Sequence, residues 1–399
     1  MPEIPEKHER EINRHILEDI MPFWDTRCLD REYGGYITCF DRQGNITDTN
    51  KYVWFQGRQL YVYALLYNRI EKRNSWLEFA TAGYDFLTRY AYAGNGRWNF
   101  ELTRDGSVVT GTNSIYSDYH VTQGLAEYLF ATGRKDERGM EILEDTFAAI
   151  EKNTMDPDFK DVYENTWHPA LIWHDMHLTA LNTAFITGQT LGRERVRAFE
   201  DYCLEKILHW FLREDEKLIF EAVTRENQLE NSPAGNFINP GHSFESMWFC
   251  LETGRLHEDP AVIRRALQGV DWTYRVGWDK DFGGVYSYLD ATGRTPEPFD
   301  WHKATNTAWD DKIWWVNCES LCCFAVAYAA SLDPKYLAMF EKQYEFCIRH
   351  FYDPEYGEWY ERLYRDGSVK VADKGTPWKC AFHLVRSLVE TITAFERIG

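Results

Sequence analysis

The feature of this 399-residue sequence that most constrains its fold is a helical spacing of apolar residues that returns about twelve times. Apolar side chains three and four positions apart line one face of an α-helix, and many of these runs end at a glycine stop signal. The predicted helices are residues 8–23, 53–72, 75–91, 116–132, 136–152, 175–190, 194–213, 241–254, 259–276, 312–331, 334–350 and 380–397.

Short alternating runs separate several of these helices, and each leads to an Asp-x-Gly-like turn. Such runs predict β-hairpins. They are residues 32–36 leading to 41–44, 281–286 to 290–293, 355–360 to 365–367 and, more loosely, 96–100 to 105–106. Repeated helix pairs without a strand-rich half predict an all-α toroid in which an inner ring of helices surrounds a cleft. No low-complexity linker interrupts the pattern, so we predict a single domain over residues 1–399.

Composition limits the kinds of partner and the cellular compartment that we expect for this protein. The net charge of −19 disfavours nucleic acid and anionic membranes, and we expect neither as a partner. The N-terminus has no apolar signal region and the nine cysteines are scattered, which predicts buried free thiols in a cytoplasmic protein. Aromatic residues make up 16% of the chain. They indicate either a carbohydrate-binding cleft or simply a wide helical core.

Two histidines lie where a Gly/Pro-rich loop gives way to a helical run, a place where catalytic groups concentrate. His242 follows Asn239-Pro240-Gly241, and His383 follows the segment that begins at Lys374. Glu245 stands near one helical turn after His242, so we expect its carboxylate to orient the imidazole and raise its pKa. The alternative is a helix-capping histidine with a solvated glutamate.

Other polar residues stand in strongly apolar helices and therefore need partners or a polar cavity. Arg58 is predicted to clamp a substrate oxygen or to form a structural ion pair. Glu319 is expected to pair with Arg58 or a histidine. His177 is either a third histidine of the cleft or an ordinary surface residue. The Trp- and His-rich segment from Thr295 to Asp311 is predicted to lie over the cleft.

Five stretches resemble the N-acylglucosamine 2-epimerase family, and together they span nearly the whole chain. The Gln-Gly-Arg and Asn-Pro-Gly-His matches are the specific ones. The stretches are Lys51–Gln59, Ser232–His242, Lys312–Glu319, Asp353–Trp359 and Lys374–Arg386. The resemblance implies an (α/α)6 barrel with short β-hairpin excursions and an active-site cleft at its mouth.

The resemblance also implies roles for individual residues. His242 and His383 would be the general acid/base pair, acting without a metal or a required cofactor. Arg58, Glu245 and Glu319 would support them, with Arg58 near the substrate oxygens. Trp315, Trp378 and His177 complete the predicted substrate-binding residues, as candidates that do not come from the resemblance. Activation by a nucleotide such as ATP and a homodimeric assembly rest on the resemblance alone.

The implied reaction is 2-epimerisation of an aldose of the N-acetylglucosamine/N-acetylmannosamine type through a cis-enediol(ate). An aldose–ketose isomerase, or an epimerase for unacetylated sugars such as mannose/glucose or cellobiose, is the alternative. A glycoside hydrolase would need paired carboxylates, for which Asp310, Asp311 and Glu319 are candidates, and a non-catalytic binding role is a third alternative. Asn317 stands where epimerases of N-acetylated sugars usually carry histidine, which favours unacetylated sugars.

Overall fold

In a computed structural model, residues 3–161 and 170–398 are described, and they form fourteen α-helices joined by short strands and turns. The helices are α1 Glu3–Arg14, α2 Met21–Asp25, α3 Val53–Arg69, α4 Asn74–Phe86, α5 Ile115–Ala131, α6 Glu137–Met155, α7 His174–Leu191, α8 Arg193–Lys206, α9 Pro240–Leu256, α10 Pro260–Gly277, α11 Asp300–Ala304, α12 Trp314–Ser331, α13 Pro334–His350 and α14 Phe382–Glu396. Each of the twelve predicted helices corresponds to a helical stretch of this set.

Six helices form a closed inner ring, in the order α3, α5, α7, α9, α12 and α14, and α14 packs back against α3. Each inner helix packs against one outer helix: α4, α6, α8, α10, α13 and, for α14, the first helix α1. The sixth helix pair therefore joins the two ends of the described chain. This is the predicted (α/α)6 toroid, and the fold prediction is confirmed.

Residue chemistry explains which helices lie inside. Helix α12 is apolar around its whole circumference, and nearly all its residues from Trp314 to Tyr328 are buried. The outer helix α10 buries only one stripe, which includes Ala266 and Val270, and exposes its charged face. A helix that is apolar all round needs neighbours on every side, whereas an amphipathic helix suits the rim.

The strands are two or three residues long and pair antiparallel in hairpins and small sheets. They are β1 Cys39–Phe40, β2 Ile46–Asp48, β3 Lys51–Tyr52, β4 Tyr92–Gly94, β5 Arg97–Trp98, β6 Glu101–Leu102, β7 Val108–Thr110, β8 Leu171–Trp173, β9 Leu212–Arg213, β10 Leu218–Ile219, β11 Ala222–Thr224, β12 Phe237–Ile238, β13 Leu289–Asp290, β14 Lys312–Ile313, β15 Arg362–Leu363 and β16 Val369–Val371. Strands β3, β8, β12 and β14 lead directly into inner helices, so the strands surround the end of the barrel where those helices begin.

Two predicted helix boundaries shift because of these strands. The helix expected from residue 312 begins at Trp314, since Lys312 and Ile313 pair with β15. The helix expected to reach residue 213 ends at Lys206, followed by a wider π-helical turn and by β9, which pairs with β10. Pairing with a neighbouring strand overrides local helical spacing at both positions.

Three of the connections carry the same buried charge cluster, called here the Lys–Asp–Arg cluster. In each, an aspartate carboxylate lies 3.0 Å from a lysine ammonium and also binds an arginine from a different hairpin. The clusters are Lys51–Asp30–Arg104, Lys312–Asp279–Arg365 and Lys374–Asp353–Arg42. Each lysine lies shortly before an inner helix, so the clusters tie the hairpins that supply the arginines to the mouth of the barrel.

Two further expectations concern the cysteines and membrane-spanning helices. All nine cysteines are buried free thiols, as predicted. Among the described residues, every helix is too short or too polar to cross a lipid bilayer.

Candidate active site

A cavity of about 760 Å³ opens where the inner helices begin. Every inner helix contributes side chains from its first three turns. The lining includes Trp54, Phe55, Arg58, Tyr116, His120, Gln123, Asp175, Asn182, His242, Glu245, Phe249, Trp314, Trp315, His383 and Arg386. Helix N-termini carry partial positive charge, so this end of the barrel favours a developing anion.

His242 lies in the first turn of α9. Asn239 caps that helix, and its side chain accepts the backbone N–H of His242 at 3.2 Å. The imidazole Nδ1 lies 2.6 Å from Oε1 of Glu221, which directly precedes β11. A carboxylate only accepts, so Nδ1 carries a proton and Nε2 is left for chemistry. The expected orientation by Glu245 is therefore wrong: Glu221 orients the ring.

The charge of Glu221 sets the protonation of His242. Burial lowers the pKa of the imidazole, but attraction to the Glu221 carboxylate more than compensates and raises it to about 9. Burial likewise opposes ionisation of Glu221, whose pKa is nevertheless lowered by the imidazolium. At neutral pH the two groups form a buried ion pair, and His242 is cationic.

His383, in the first turn of α14, has a different environment. Its Nδ1 lies 2.8 Å from Oε1 of Glu319, but the same oxygen also accepts from Nη2 of Arg386 at 2.6 Å. Arg386 binds Glu245 as well. Burial lowers the pKa of His383 well below its usual value, and the nearby arginines Arg58 and Arg386 add to this effect. His383 is therefore neutral where His242 is charged.

The indole of Trp315 lies close to both imidazoles. Its ring centroid is 5.2 Å from that of His242 and 5.5 Å from that of His383. A Cβ atom at position 241 would lie 2.6 Å from Cζ3 of Trp315. The glycine of the Asn-Pro-Gly-His motif is thus the residue that lets the indole approach both histidines.

Arg58 extends from the second turn of α3 into the same cavity. Its Nη2 donates to Nε2 of His120 at 2.9 Å, and burial lowers the pKa of the guanidinium to about 10. Within the described residues it has no carboxylate ion-pair partner. The predicted pairing of Glu319 with a histidine is found, whereas pairing with Arg58 is not, because Glu319 binds Arg386 instead.

A chain of hydrogen bonds connects Arg58 to Arg386 across the ring. His120 accepts from Arg58 at Nε2, so its Nδ1 donates to Oε1 of Gln123 at 3.0 Å. Gln123 donates to Asn182 at 3.3 Å, and Arg386 donates to the same Asn182 oxygen at 3.1 Å. Four inner helices thereby hold the two guanidinium groups in fixed positions.

Glu245, Glu319 and His383 place ligand atoms within 4.8 Å of one another, a grouping that could hold a metal ion. The guanidinium of Arg386 already binds both carboxylates and is itself buried. A metal ion at this position would have to displace that guanidinium.

The two remaining predicted site residues, Trp378 and His177, occupy different positions relative to the cavity. Trp378 lies on the cavity rim, 46% exposed, with its ring 5.5 Å from that of Trp54. His177 does not belong to the cavity lining. It is buried, its Nδ1 donates to the carbonyl oxygen of Trp173 at 2.9 Å, and its ring packs against Phe211. Its prediction as a substrate-binding residue is not supported by this position.

Asn317 also lies away from the cavity. Its side-chain oxygen accepts the backbone N–H of Val285 at 2.9 Å, and its amide donates to the carbonyl of Ile313. Gln343 contacts the same side chain at 3.0 Å. Asn317 therefore fixes a hairpin to α12, and it is not positioned to select acetylated or unacetylated sugars.

The segment from Thr295 to Asp311 covers one side of the cavity through Phe299, Lys303 and Thr305, as predicted. Two of the three carboxylates proposed for glycoside hydrolysis are engaged in ion pairs, and the third, Asp310, does not belong to the cavity lining. Asp311 binds Lys370 at 2.7 Å, and Glu319 binds Arg386.

Comparison with known proteins supports the assignment of the family. The family model described as N-acylglucosamine 2-epimerase matches residues 35–387. The N-acylglucosamine 2-epimerase of Mus musculus is 31% identical over 93% of this chain and 88% of its own. The cellobiose 2-epimerase of Bacteroides fragilis is 24% identical over 96% of this chain and 98% of its own.

Solved structures show the same fold. The cellobiose 2-epimerase from Bacillus thermoamylovorans aligns with a TM-score of 0.84 at 19% identity, over 97% of this chain and 99% of that one. A family 76 glycoside hydrolase from Bacteroides thetaiotaomicron aligns with a TM-score of only 0.64 at 10% identity, over 98% of this chain and 77% of that one. Since the family model covers most of the sequence and the curated match exceeds 30% identity, the chain belongs to the N-acylglucosamine 2-epimerase family.

Proposed function

We propose that this protein is a sugar 2-epimerase, an isomerase that inverts C2 of an aldose by proton removal and return. The observation that carries the proposal is that His242 and His383 line one cavity, both close to Trp315, and that each has its own carboxylate. Inversion at carbon needs two proton-transfer groups that approach from different sides.

Their opposite protonation suits this chemistry. Neutral His383 accepts the C2 proton of an open-chain aldose through Nε2, and the electron pair moves onto the carbonyl oxygen to give an enediolate. Cationic His242 returns a proton to the opposite face of C2, and the carbonyl reforms. The reverse reaction exchanges the two roles, because each histidine ends the turnover in the protonation state of the other.

Arg58 is the group we assign to the enediolate oxygen. It lacks a carboxylate partner among the described residues, and it extends into the cavity at the positive end of α3. A preorganised donor aimed at developing charge contributes on the order of 100- to 1000-fold in rate. Glu245 and Glu319 act through Arg386 and His383, so we assign them to positioning.

The relatives include a D-mannose isomerase from Marinomonas mediterranea, 22% identical over 96% of this chain and of its own length. An aldose–ketose isomerase uses the same enediol and returns the proton to C1. This remains the second candidate, and the product distinguishes it from an epimerase.

The proposal includes several expectations about the whole protein. We expect one catalytic domain, a cytoplasmic homodimer, and chemistry that needs no metal or redox cofactor. Light scattering measures the assembly. Activity assays with chelator and with added ATP measure the dependence on metal and on nucleotide.

The direct test is NMR of candidate sugars incubated with the protein in deuterated water. N-Acetylglucosamine, N-acetylmannosamine, glucose, mannose and cellobiose are the substrates to compare. We expect deuterium at C2 together with the C2 epimer of one of them. A ketose product would instead favour the isomerase, and release of a monosaccharide from cellobiose without C2 exchange would contradict both.

A further inference from the structure

A second polar surface lies in the wall of the cavity, beside the histidines. It consists of Trp314, Glu361 and Arg362, which all line the cavity and are at most 6% exposed. The pairing of β14 with β15 brings them together, and the backbone N–H of Trp314 donates to the carbonyl of Glu361 at 3.1 Å. None of the three takes part in the proton transfers described above.

Each of these residues keeps one buried polar atom without a hydrogen-bond partner among the described residues. These atoms are Nε1 of Trp314, Oε2 of Glu361 and Nε of Arg362. Their other polar atoms are bonded: Arg362 donates to Oε1 of Glu361 at 3.1 Å and to the carbonyl of Thr305 at 2.7 Å. Most buried polar groups in proteins have partners, so three neighbouring exceptions in one cavity wall indicate a ligand.

The unpaired atoms specify the chemistry of that ligand. Trp314 and Arg362 each offer an N–H donor, and the Glu361 carboxylate offers an acceptor. A hydroxyl group both donates and accepts, so neighbouring hydroxyls of a sugar complement this set.

We propose that Trp314, Glu361 and Arg362 form a hydroxyl-binding subsite that holds the substrate hydroxyls remote from C2. This inference rests on the proposed function. Trp314, Glu361 and Arg362 line the same cavity as the two imidazoles, so one sugar molecule in that cavity can contact both the subsite and the histidines. The hydroxyls belong either to the far end of the reacting aldose or to a second sugar attached to it.

Two variants test the subsite. Trp314→Phe removes the indole N–H together with the pyrrole part of the ring system, a truncation that the control below reproduces elsewhere, and Glu361→Gln removes the negative acceptor while keeping the shape. We expect KM for the preferred sugar to rise roughly threefold or more in Trp314→Phe and tenfold or more in Glu361→Gln. We expect kcat within about twofold of wild type, because the lost contacts are made equally to ground state and transition state.

The matched controls are Trp272→Phe and Glu341→Gln, at positions on outer helices away from the cavity. We expect both to keep wild-type KM. Thermal unfolding of each variant checks that it is folded. If Glu361→Gln unfolds, Trp314→Phe alone decides the outcome, because it keeps an aromatic side chain and leaves the ion pair of Glu361 with Arg362 in place.

Deoxy sugars identify the hydroxyls. If the subsite holds the reacting ring, the variants raise KM for the full hexose and leave KM unchanged for the 4-deoxy or 6-deoxy analogue. If it holds an attached ring, the rise is confined to a β-1,4-linked disaccharide. Wild-type KM for every sugar in both folded variants, with normal C2 exchange, would overturn the subsite alone. Absence of C2 exchange in the wild-type protein would overturn the proposed function and the subsite with it.

Discussion

His242 and His383 are the same residue type in the same cavity, each hydrogen-bonded through Nδ1 to a buried glutamate, yet their protonation differs. Glu221 lies near His174 and His242 and has no arginine among its described contacts, so no arginine offsets its attraction for His242. Glu319 shares its charge with Arg386, so His383 receives little net attraction. The pKa of an imidazole therefore follows the net charge of its surroundings, and the presence of a carboxylate alone does not decide it.

The largest expected effect comes from removing either histidine. We expect His242→Gln and His383→Gln to reduce net epimerisation by about 100- to 10,000-fold, the usual contribution of a general acid or base. In each variant, C2 exchange with deuterated water should survive only for the epimer whose C2 hydrogen faces the remaining histidine. Wild-type epimerisation by either variant would contradict the assignment of a proton-transfer role to each of the two histidines.

The next largest effect concerns Arg386, the cation that makes the surroundings of His383 different from those of His242. Arg386→Met leaves Glu245 and Glu319 as unpaired buried charges, so we expect a loss of about 3–5 kcal/mol in the free energy of unfolding, measured in urea. Arg255→Met is the control, because Arg255 is half-exposed and its ion pair with Glu252 is expected to contribute below about 1 kcal/mol. A loss in Arg386→Met no larger than in the control would show that Arg386 is dispensable.

The pH dependence sharpens the comparison further. Activity requires neutral His383 and protonated His242, so it falls as the pH drops through the low pKa of His383 and as the pH rises through about 9. Glu221→Gln removes the charge that raises the pKa of His242, so the alkaline limb should move down by about one pH unit or more. The acid limb should stay in place. An alkaline limb unchanged in Glu221→Gln would mean that His242 is not the group titrating there.

The smallest effect tests the hydrogen-bond chain. His120→Asn removes the acceptor that orients Arg58, and we expect a decrease of roughly tenfold in kcat/KM, about the contribution of one hydrogen bond to a charged group. The exposed His209 supplies the control variant His209→Asn. Equal activity of the two variants would show that Arg58 is positioned without His120.

Local sequence patterns predict the architecture and both histidines, but they do not predict the residues that set the pKa of each histidine. Helical spacing and the hairpin motifs predict the toroid because each of them is recognisable within a short stretch of sequence. Such patterns do not predict the contact between Glu221 and His242, because Glu221 lies 21 residues earlier in the sequence and approaches His242 only through β11. Arg386 looks like a rim cation next to His383 in sequence, yet it is buried and joins carboxylates from two other helices.

Asn317 and His177 illustrate the converse error. The resemblance draws attention to Asn317, and the run from Trp173 to His177 makes His177 a candidate for the cleft. On a helix, however, neighbours two residues apart point in different directions, so Asn317 faces a hairpin while Glu319 binds His383. Direction around an inner helix depends on the packing of the whole ring, which single-sequence patterns do not contain.

The last Lys–Asp–Arg cluster has a consequence for how the molecule unfolds. Arg42, from the first hairpin, binds Asp353, from the last, across 311 positions of sequence, and α1 completes the helix pair of α14. Linear helical repeat arrays fray from their terminal repeats, because those have one neighbour instead of two. Here every repeat has two neighbours. We therefore expect the ring to melt in one cooperative step, with Arg42→Ala creating the frayed end that the native protein lacks.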